Sequence, residues 1–480
     1  MKNKLLTILS LSLIISGLGT VNAAAGSEWT MQTPGVYQML DGSSLSGVFA
    51  RGVDTSHWQG EVDWKAAAAD DVKFLMHGTR YKGKQDPKFV YNMNAAYKEG
   101  IALGVYIYSY AMTPAEAEAE ADFVLDMIKD YPISYPVAFD VEDTNTQGKL
   151  TKEELTAIIR AFTNKIEAAG YYPILYANDY WIANKLDMQA LKDLDVWVAR
   201  YNVKHVFPDP VMWQATETGR VAGFNGNVDI DFQYKDLSSK IKKDTFRTIS
   251  GKTYYYKNYT MQKNTWVNDS NKWYFMDADG LIYKSWKTED GSKYYLDDTT
   301  GIMQTGWKQL DNKWYFFNSN GKMATAWIND QGNRYYADKD GVMQTGWLTD
   351  NGKKYYLKSS GTAATGFNDI DSKKYYMDAD GALGKSWIKD ANKWYFLNSE
   401  GIVQKSWIKD NNKWYFLNNE GVMQSGWLKD ADNWYYLSDS GSMQSGWLKD
   451  GNNWYYLSNS GAMQTGWLKD GNNWYYLEAS

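Results

Sequence analysis

The stretch Tyr135-Pro-Val-Ala-Phe-Asp-Val-Glu-Asp143 is an apolar run that ends in acid. Side chains two apart on a strand point the same way, so Asp140 and Glu142 share a face while Val141 turns back into a core. Two carboxylates held this close oppose each other's ionisation, which raises the pKa of one and lets it keep a proton near neutral pH for general acid work. That is the chemistry of glycosidic bond cleavage. The plainer alternative is that Asp140 and Asp143 cap the loop Asp143-Thr-Asn-Thr-Gln-Gly148.

Such a pair needs a frame, and short strand-like runs supply one. They lie at residues 47–53, 73–76, 103–108, 135–141, 172–176, 196–199, 211–213 and 228–232. Helical text fits between the earlier ones. Thr113-Pro-Ala-Glu116 and Thr151-Lys-Glu-Glu154 each set a hydroxyl cap three residues before an acid, and Gly100 and Gly170 stand where helices stop. Alternation of this kind predicts an α/β fold, a parallel (β/α) barrel, with later helices reduced because residues 195–232 carry no good helical pattern. A barrel of this class builds its site at the C-terminal ends of its strands. Asp54 follows the first strand, Asp140 and Glu142 the fourth, and Asp229 and Asp231 lie on the last, beside the first on closure. Trp58, Tyr81, Tyr106, Tyr108, Tyr176, Tyr201 and Trp213 fall at or near strand ends, where flat rings can stack on sugar faces, although some must serve the core.

The division of the chain follows composition. Residues 1–25 open with Lys2 and Lys4, continue through an apolar run from Leu5 to Leu18 and close in small residues, which reads as a cleaved export signal too short to span a membrane. No later run is long and apolar enough to span one, so an exported, wall-associated or free protein is expected. Residues 26–47 read as a linker, 48–236 as the barrel, 237–250 as a second linker and 251–480 as a repeat region. Without cysteine, stability must come from a packed core or from repeats. The net charge of −6 argues against a nucleic-acid partner. His57, His77 and His205 are widely spaced, so neither a metal site nor a cofactor is expected.

Taken together, Gly52-Val-Asp-Thr-Ser-His-Trp-Gln59, Asp86-Pro-Lys-Phe89, Phe139-Asp-Val-Glu142, Gly170-Tyr-Tyr-Pro-Ile-Leu-Tyr176, Trp197-Val-Ala-Arg-Tyr201 and Gly226-Asn-Val-Asp-Ile-Asp231 resemble a glycoside hydrolase family 25 lysozyme, an N-acetylmuramidase. The resemblance covers residues 48–236. It implies Glu142 as proton donor, with Asp140, Asp54 and Asp229 completing the site, and retention of configuration with the substrate's 2-acetamido group as a possible internal nucleophile. On that view Asp140 orients the amide and stabilises an oxazolinium-like charge, unlike the usual covalent route. The chain departs from the family at Met76-His-Gly-Thr-Arg80 and Val105-Tyr-Ile-Tyr108, where many members carry an acid and a histidine.

From Trp266 onward an aromatic recurs about every twenty residues, the signature of a repeat array: Trp266, Trp286, Trp307, Trp327, Trp347, Phe367, Trp387, Trp407, Trp427, Trp447 and Trp467. Each unit reads as one β-hairpin, too small to bury its own face, so stacking must make an all-β solenoid. A second position seven residues on reads Trp273, Lys293, Trp314, Arg334, Lys354, Lys374, Trp394, Trp414, Trp434, Trp454 and Trp474. A ring needed only for packing would not give way to Lys or Arg. The array resembles choline-binding, or cell-wall-binding, repeats. That resemblance implies boxes of two tryptophans from one hairpin and an aromatic of the next, holding a quaternary ammonium by cation–π attraction worth roughly 0.5–2 kcal/mol per ring. Several weak boxes in tandem hold a polymer firmly. Binding is expected in the units from Trp387 to Trp474, where consecutive repeats keep both tryptophans.

The combined expectation is an exported autolysin-like muramidase that cleaves peptidoglycan glycan strands while its repeats hold choline-bearing teichoic acid or a related wall polymer. A non-catalytic wall adhesin and a muramidase with glucan-binding repeats are the alternatives.

Overall fold

A computed structural model describes residues 29–479. The export signal expected at residues 1–25 lies outside the described residues. The chain divides into two compact units, one of residues up to Ser285 with Leu296–Met303, the other of Trp286–Tyr295 with residues from Gln304 on.

The first unit is built on a closed eight-stranded barrel. Its strands are β1 (Ala50–Thr55), β2 (Phe74–Gly78), β3 (Ala102–Tyr108), β4 (Ile133–Asp140), β5 (Pro173–Asn178), β6 (Val196–Ala199), β7 (Met212–Gly219) and β8 (Val228–Gln233), paired in sequence order with β8 closing on β1. Helices α1 (Trp64–Ala69), α2 (Phe89–Lys98), α3 (Pro114–Ile128), α4 (Lys152–Ala168) and α5 (Asp179–Asn184) cover the outside. None follows β6 or β7, as the weak helical text of residues 195–232 foretold. Thr113 and Thr151 form reciprocal capping boxes with Glu116 and Glu154.

Strand alternation sorts the core. Leu75, Val105, Phe139 and Leu175 face the helices, with Phe139 stacked 4.2 Å from Phe162 of α4. Phe74, Met76, Ala138, Ile174 and Met212 fill the barrel. Gly52 admits Phe74 to that interior, since a Cβ on Gly52 would fall 2.4 Å from the phenyl ring.

One strand departs from the expected parallel barrel. β8 runs antiparallel to both β7 and β1, with Asp229 opposite Asp54. The connection of residues 220–227 is too short for a crossover, so the chain can only turn back as a hairpin. Asp229, near the start of β8, is thereby delivered to the mouth that the other strands reach with their C-terminal ends.

Neither expected linker is a free segment. Met31–Thr33, Val36–Gln38 and Ser44–Ser46 form a three-stranded sheet within residues 26–47. Trp29 beside it is 1% exposed and packs 5.9 Å from both Trp213 and Phe232. Residues 237–250 bury Leu237 and Ile241 and include the strand Thr245–Ile249. Arg247 on that strand sits between the rings of Tyr171 and Tyr256, at 4.1 and 4.4 Å. Apolar and cationic side chains spaced along polar text make both segments part of the first unit.

The second unit is a run of hairpins with five-residue strands, such as Gly426–Asp430 paired with Asn433–Leu437. Their tight turns need positive φ, which Asn411 and Asn412 supply at 45° and 63°. Successive hairpins are tied by backbone bonds, as from Met463 N–H to the Trp434 carbonyl at 2.8 Å, and Leu417, Leu437 and Leu457 form the buried seam.

Candidate active site

The barrel mouth is a cleft of about 360 Å³ lined by Asp54, Asp140, Glu142 and Asp229, together with Trp58, Tyr106, Tyr108, Tyr176 and Tyr201. β4 ends at Asp140, Val141 is fully buried, and Glu142 re-emerges into the cleft just past the strand. The loop-capping alternative holds for Asp143 alone, which accepts from the Thr146 and Asn145 amides at 3.2 and 3.4 Å. Asp140 does no capping: its buried Oδ1 has no hydrogen-bond partner among the described residues.

Trp213 is a correction. It is fully buried, 5.9 Å from Trp29, and gives its indole N–H to the Arg200 carbonyl at 2.9 Å. Its neighbour Gln214 carries the inward face of β7, and a one-residue offset on a strand exchanges core for site.

Gln214 is the residue that pattern reading missed. Its Nε2 donates to Asp54 Oδ2 at 2.7 Å and to Asp229 Oδ2 at 3.3 Å, and its Oε1 accepts from the Tyr176 hydroxyl at 2.8 Å. Asn178, at the end of β5, donates to Glu142 Oε2 at 3.4 Å while its own oxygen caps α5 through the Trp181 amide at 3.0 Å. Trp197 likewise donates to buried Asp231 at 2.9 Å, below the cleft. Alternation along β7 was the one available signal for Gln214; a lone amide carries no other.

The electrostatics follow from crowding acids in a poorly solvated bowl. Burial, then the charge of Asp54, pushes Asp229 up to about 9. Burial, then Asp231, pushes Asp54 well above the carboxylate range. At least one proton therefore stays on the Asp54 and Asp229 pair at neutral pH. Asp140 is driven well up by burial, then by Glu142 and Asp54. Glu142 is raised by burial and drawn back by the Asn178 amide. The site is thus stocked with neutral carboxyl groups able to give a proton, and with acids ready to ionise beside developing positive charge.

Trp58 projects from the rim, 79% exposed. Its loop is fixed from behind: Ser56 and Gln59 form a reciprocal cap over the turn His57–Gln59. Buried Asp86 accepts from the His57 amide at 2.8 Å and lies 3.1 Å from His57 Nδ1, and the His57 ring packs at a tilt against Trp58 and Tyr81, with centroids 4.5 and 3.7 Å apart. The Asp86-Pro-Lys-Phe89 motif is the anchor of an aromatic wall.

In the repeats, Trp427, Trp434, Tyr455 and Met463 enclose a second cavity of about 280 Å³. Trp427 stands 6.4 Å from Trp434 and 4.7 Å from Tyr455, with interplanar angles of 83° and 66°. The same rings recur as Trp387, Trp394 and Tyr415, and as Trp447, Trp454 and Tyr475. Trp407 lies 4.8 Å from Tyr435, with Trp414 exposed beside it. Trp467 faces Trp474 at 6.4 Å, and no ring of a following hairpin is among the described residues. An aspartate of the next hairpin fixes each first indole: Asp410, Asp430, Asp450 and Asp470 accept from Trp387, Trp407, Trp427 and Trp447 at 2.8–3.1 Å. That spacing of 23 residues crosses a hairpin boundary, so the pairing was not legible.

Family profiles match both parts of the chain. The profile of glycosyl hydrolases family 25 matches residues 53–224. The choline-binding repeat profile matches residues 304–343, 403–446 and 444–480, and the putative cell wall binding repeat profile matches 264–282, 284–303, 345–363, 365–383 and 385–402. Lysozyme M1 of Streptomyces globisporus is 28% identical over 206 residues, 39% of this chain and 68% of that protein. Among solved structures, CbpJ of Streptococcus pneumoniae TIGR4 is 29% identical, with 49% of this chain and 98% of that one covered at a TM-score of 0.36. The modular Cpl-1 endolysin, solved with a peptidoglycan analogue, is 23% identical, with 66% and 95% covered at a TM-score of 0.32. The chain therefore carries a catalytic-type domain of glycosyl hydrolases family 25, followed by choline-binding and cell-wall-binding repeats.

Proposed function

We propose that this peptidoglycan hydrolase is an N-acetylmuramidase, cleaving the β-1,4 bond from N-acetylmuramic acid to N-acetylglucosamine. In this reading residues 48–236 do the chemistry, residues 251–480 hold the enzyme on choline-bearing teichoic acid or a related polymer, and the segment 1–25 exports it. The observation that carries the proposal is the convergence of Asp54, Asp140, Glu142 and Asp229 on one cleft.

Glu142, its pKa raised by burial, keeps a proton and gives it to the glycosidic oxygen as the bond breaks. Asp140, which lines the cleft, offers its carboxyl group to the N–H of the 2-acetamido group, aligning the amide oxygen on the anomeric carbon. A substrate amide beside Asp140 favours its carboxylate form, its proton passing to solvent before the bond breaks, and that carboxylate stabilises the positive charge that spreads over the sugar and the amide. Gln214 holds Asp54 and Asp229 in register across the mouth. Trp58 and Tyr81 offer ring faces to the neighbouring sugar. Digestion of purified wall followed by labelling of the new reducing ends tests the reading. N-acetylmuramic acid is the expected end group; N-acetylglucosamine would make the enzyme a glucosaminidase, and no new ends would favour a non-catalytic adhesin.

A further inference from the structure

Three repeats in the middle of the array have the outline of the cation box but not its second tryptophan. Trp327 lies 4.7 Å from Tyr355, Trp347 lies 5.1 Å from Tyr375, and Phe367 lies 4.6 Å from Tyr395, the same first ring and next-hairpin ring that wall the box at Trp427. Where Trp434 would stand, these units place Arg334, Lys354 and Lys374. Each of these side chains folds back over the first ring: Arg334 Cζ is 4.2 Å from the Trp327 centroid, Lys354 Nζ is 4.3 Å from Trp347, and Lys374 Nζ is 4.7 Å from Phe367. Arg334 is further held by donating to the Asp380 carbonyl, two hairpins on.

We propose that Arg334, Lys354 and Lys374 are tethered ligands of their own boxes, so that these three repeats are closed to an external quaternary ammonium. The proposal rests on the reading that the tryptophan boxes take such a cation. A cation held on the facing strand of the same hairpin meets its ring at an effective concentration in the millimolar range or above, so a free monocation of similar affinity competes poorly. A bound ligand would also face a fixed like charge. The floor of the box has changed with its wall. The backbone N–H that meets the second-position carbonyl belongs to Met423, Met443 and Met463 beneath Trp394, Trp414 and Trp434, but to Ala363, Leu383 and Val403 beneath Arg334, Lys354 and Lys374. Polarisable thioether is kept under Trp394, Trp414 and Trp434 and lost under Arg334, Lys354 and Lys374, while Met323 remains beneath Lys293. The consequence is an interrupted array, with these three self-satisfied hairpins set between the ring group Trp307, Trp314 and Tyr335 on one side and the open boxes from Trp387 onward on the other.

Calorimetric titration of the full chain with choline chloride counts the open boxes. Lys354→Trp rebuilds the missing wall of the Trp347 and Tyr375 box and should raise the stoichiometry by one site. Lys354→Gln removes the charge without adding volume, and should make Trp347 newly responsive to choline in fluorescence difference spectra. A wild-type chain that takes up choline, with both Lys354 variants folded and showing neither the added site nor the new response, would overturn the tethered-ligand assignment alone. A wild-type chain that takes up no choline would overturn the quaternary ammonium reading of the repeats and this assignment with it.

Discussion

At the scale of single residues, function depends on how far each carboxyl is pushed from its ordinary pKa. The general-acid role proposed for Glu142 requires its proton, so turnover should fall as pH rises through its raised pKa. Asn178→Ser keeps an oxygen to cap α5 but removes the amide that draws Glu142 down. The alkaline limb of the kcat profile should therefore move to higher pH, and a move to lower pH would contradict the assignment. Asp229 has a folded-state pKa of about 9, above its unfolded value, so the group favours the fold only while protonated in both states. That contribution is complete below the ordinary carboxyl range and is lost as pH rises toward 9. Asp229→Asn should thus be more stable than wild type at pH 7, by on the order of 1 kcal/mol, with the gain absent near pH 3 in thermal melts. Its turnover should fall, though by less than the about 10²–10⁴-fold expected for loss of the general acid. The four acids were legible because acid at the tip of an apolar strand has few other uses. Trp213 was misread because its position near a strand end does not tell which face it takes, and Gln214 and Asn178 were missed because amides carry no charge pattern.

At the scale of elements, the eight strands and the two capped helices were legible from apolar runs and hydroxyl-acid spacing. The reversal of β8 followed from the short connection of residues 220–227, whose meaning appears only once the barrel has closed. The terminal sheet and the strand at Thr245–Ile249 were hidden because each is short and polar, its stability coming from a few residues such as Trp29 and Arg247 that dock on the barrel. The caps matter for stability rather than chemistry. Thr151→Ala removes the hydroxyl that accepts from the Glu154 amide at 3.2 Å. Denaturant melts should show a loss of about 1 kcal/mol, with kcat on soluble muropeptide chains unchanged.

At the scale of the whole molecule, a hydrolase of an insoluble polymer gains from weak boxes repeated along its repeats, because each bound box raises the effective concentration for the next. A chain ending at residue 386 loses the boxes at Trp387, Trp427 and Trp447. It should keep its rate on soluble fragments while most of its retention on a choline resin disappears; full retention would return these aromatics to a purely structural role. The repeat period and its two ring positions were legible, whereas the aspartate ties and the folded-back cations were not, since both join residues of different strands or hairpins. Whether Glu142 supplies the proton for cleavage of wall glycan is decided by comparing muropeptide release from purified wall by wild type and Glu142→Gln. The variant should fold and bind wall as wild type does while release falls by about 10²–10⁴-fold, and release at the wild-type rate would remove Glu142 from that role.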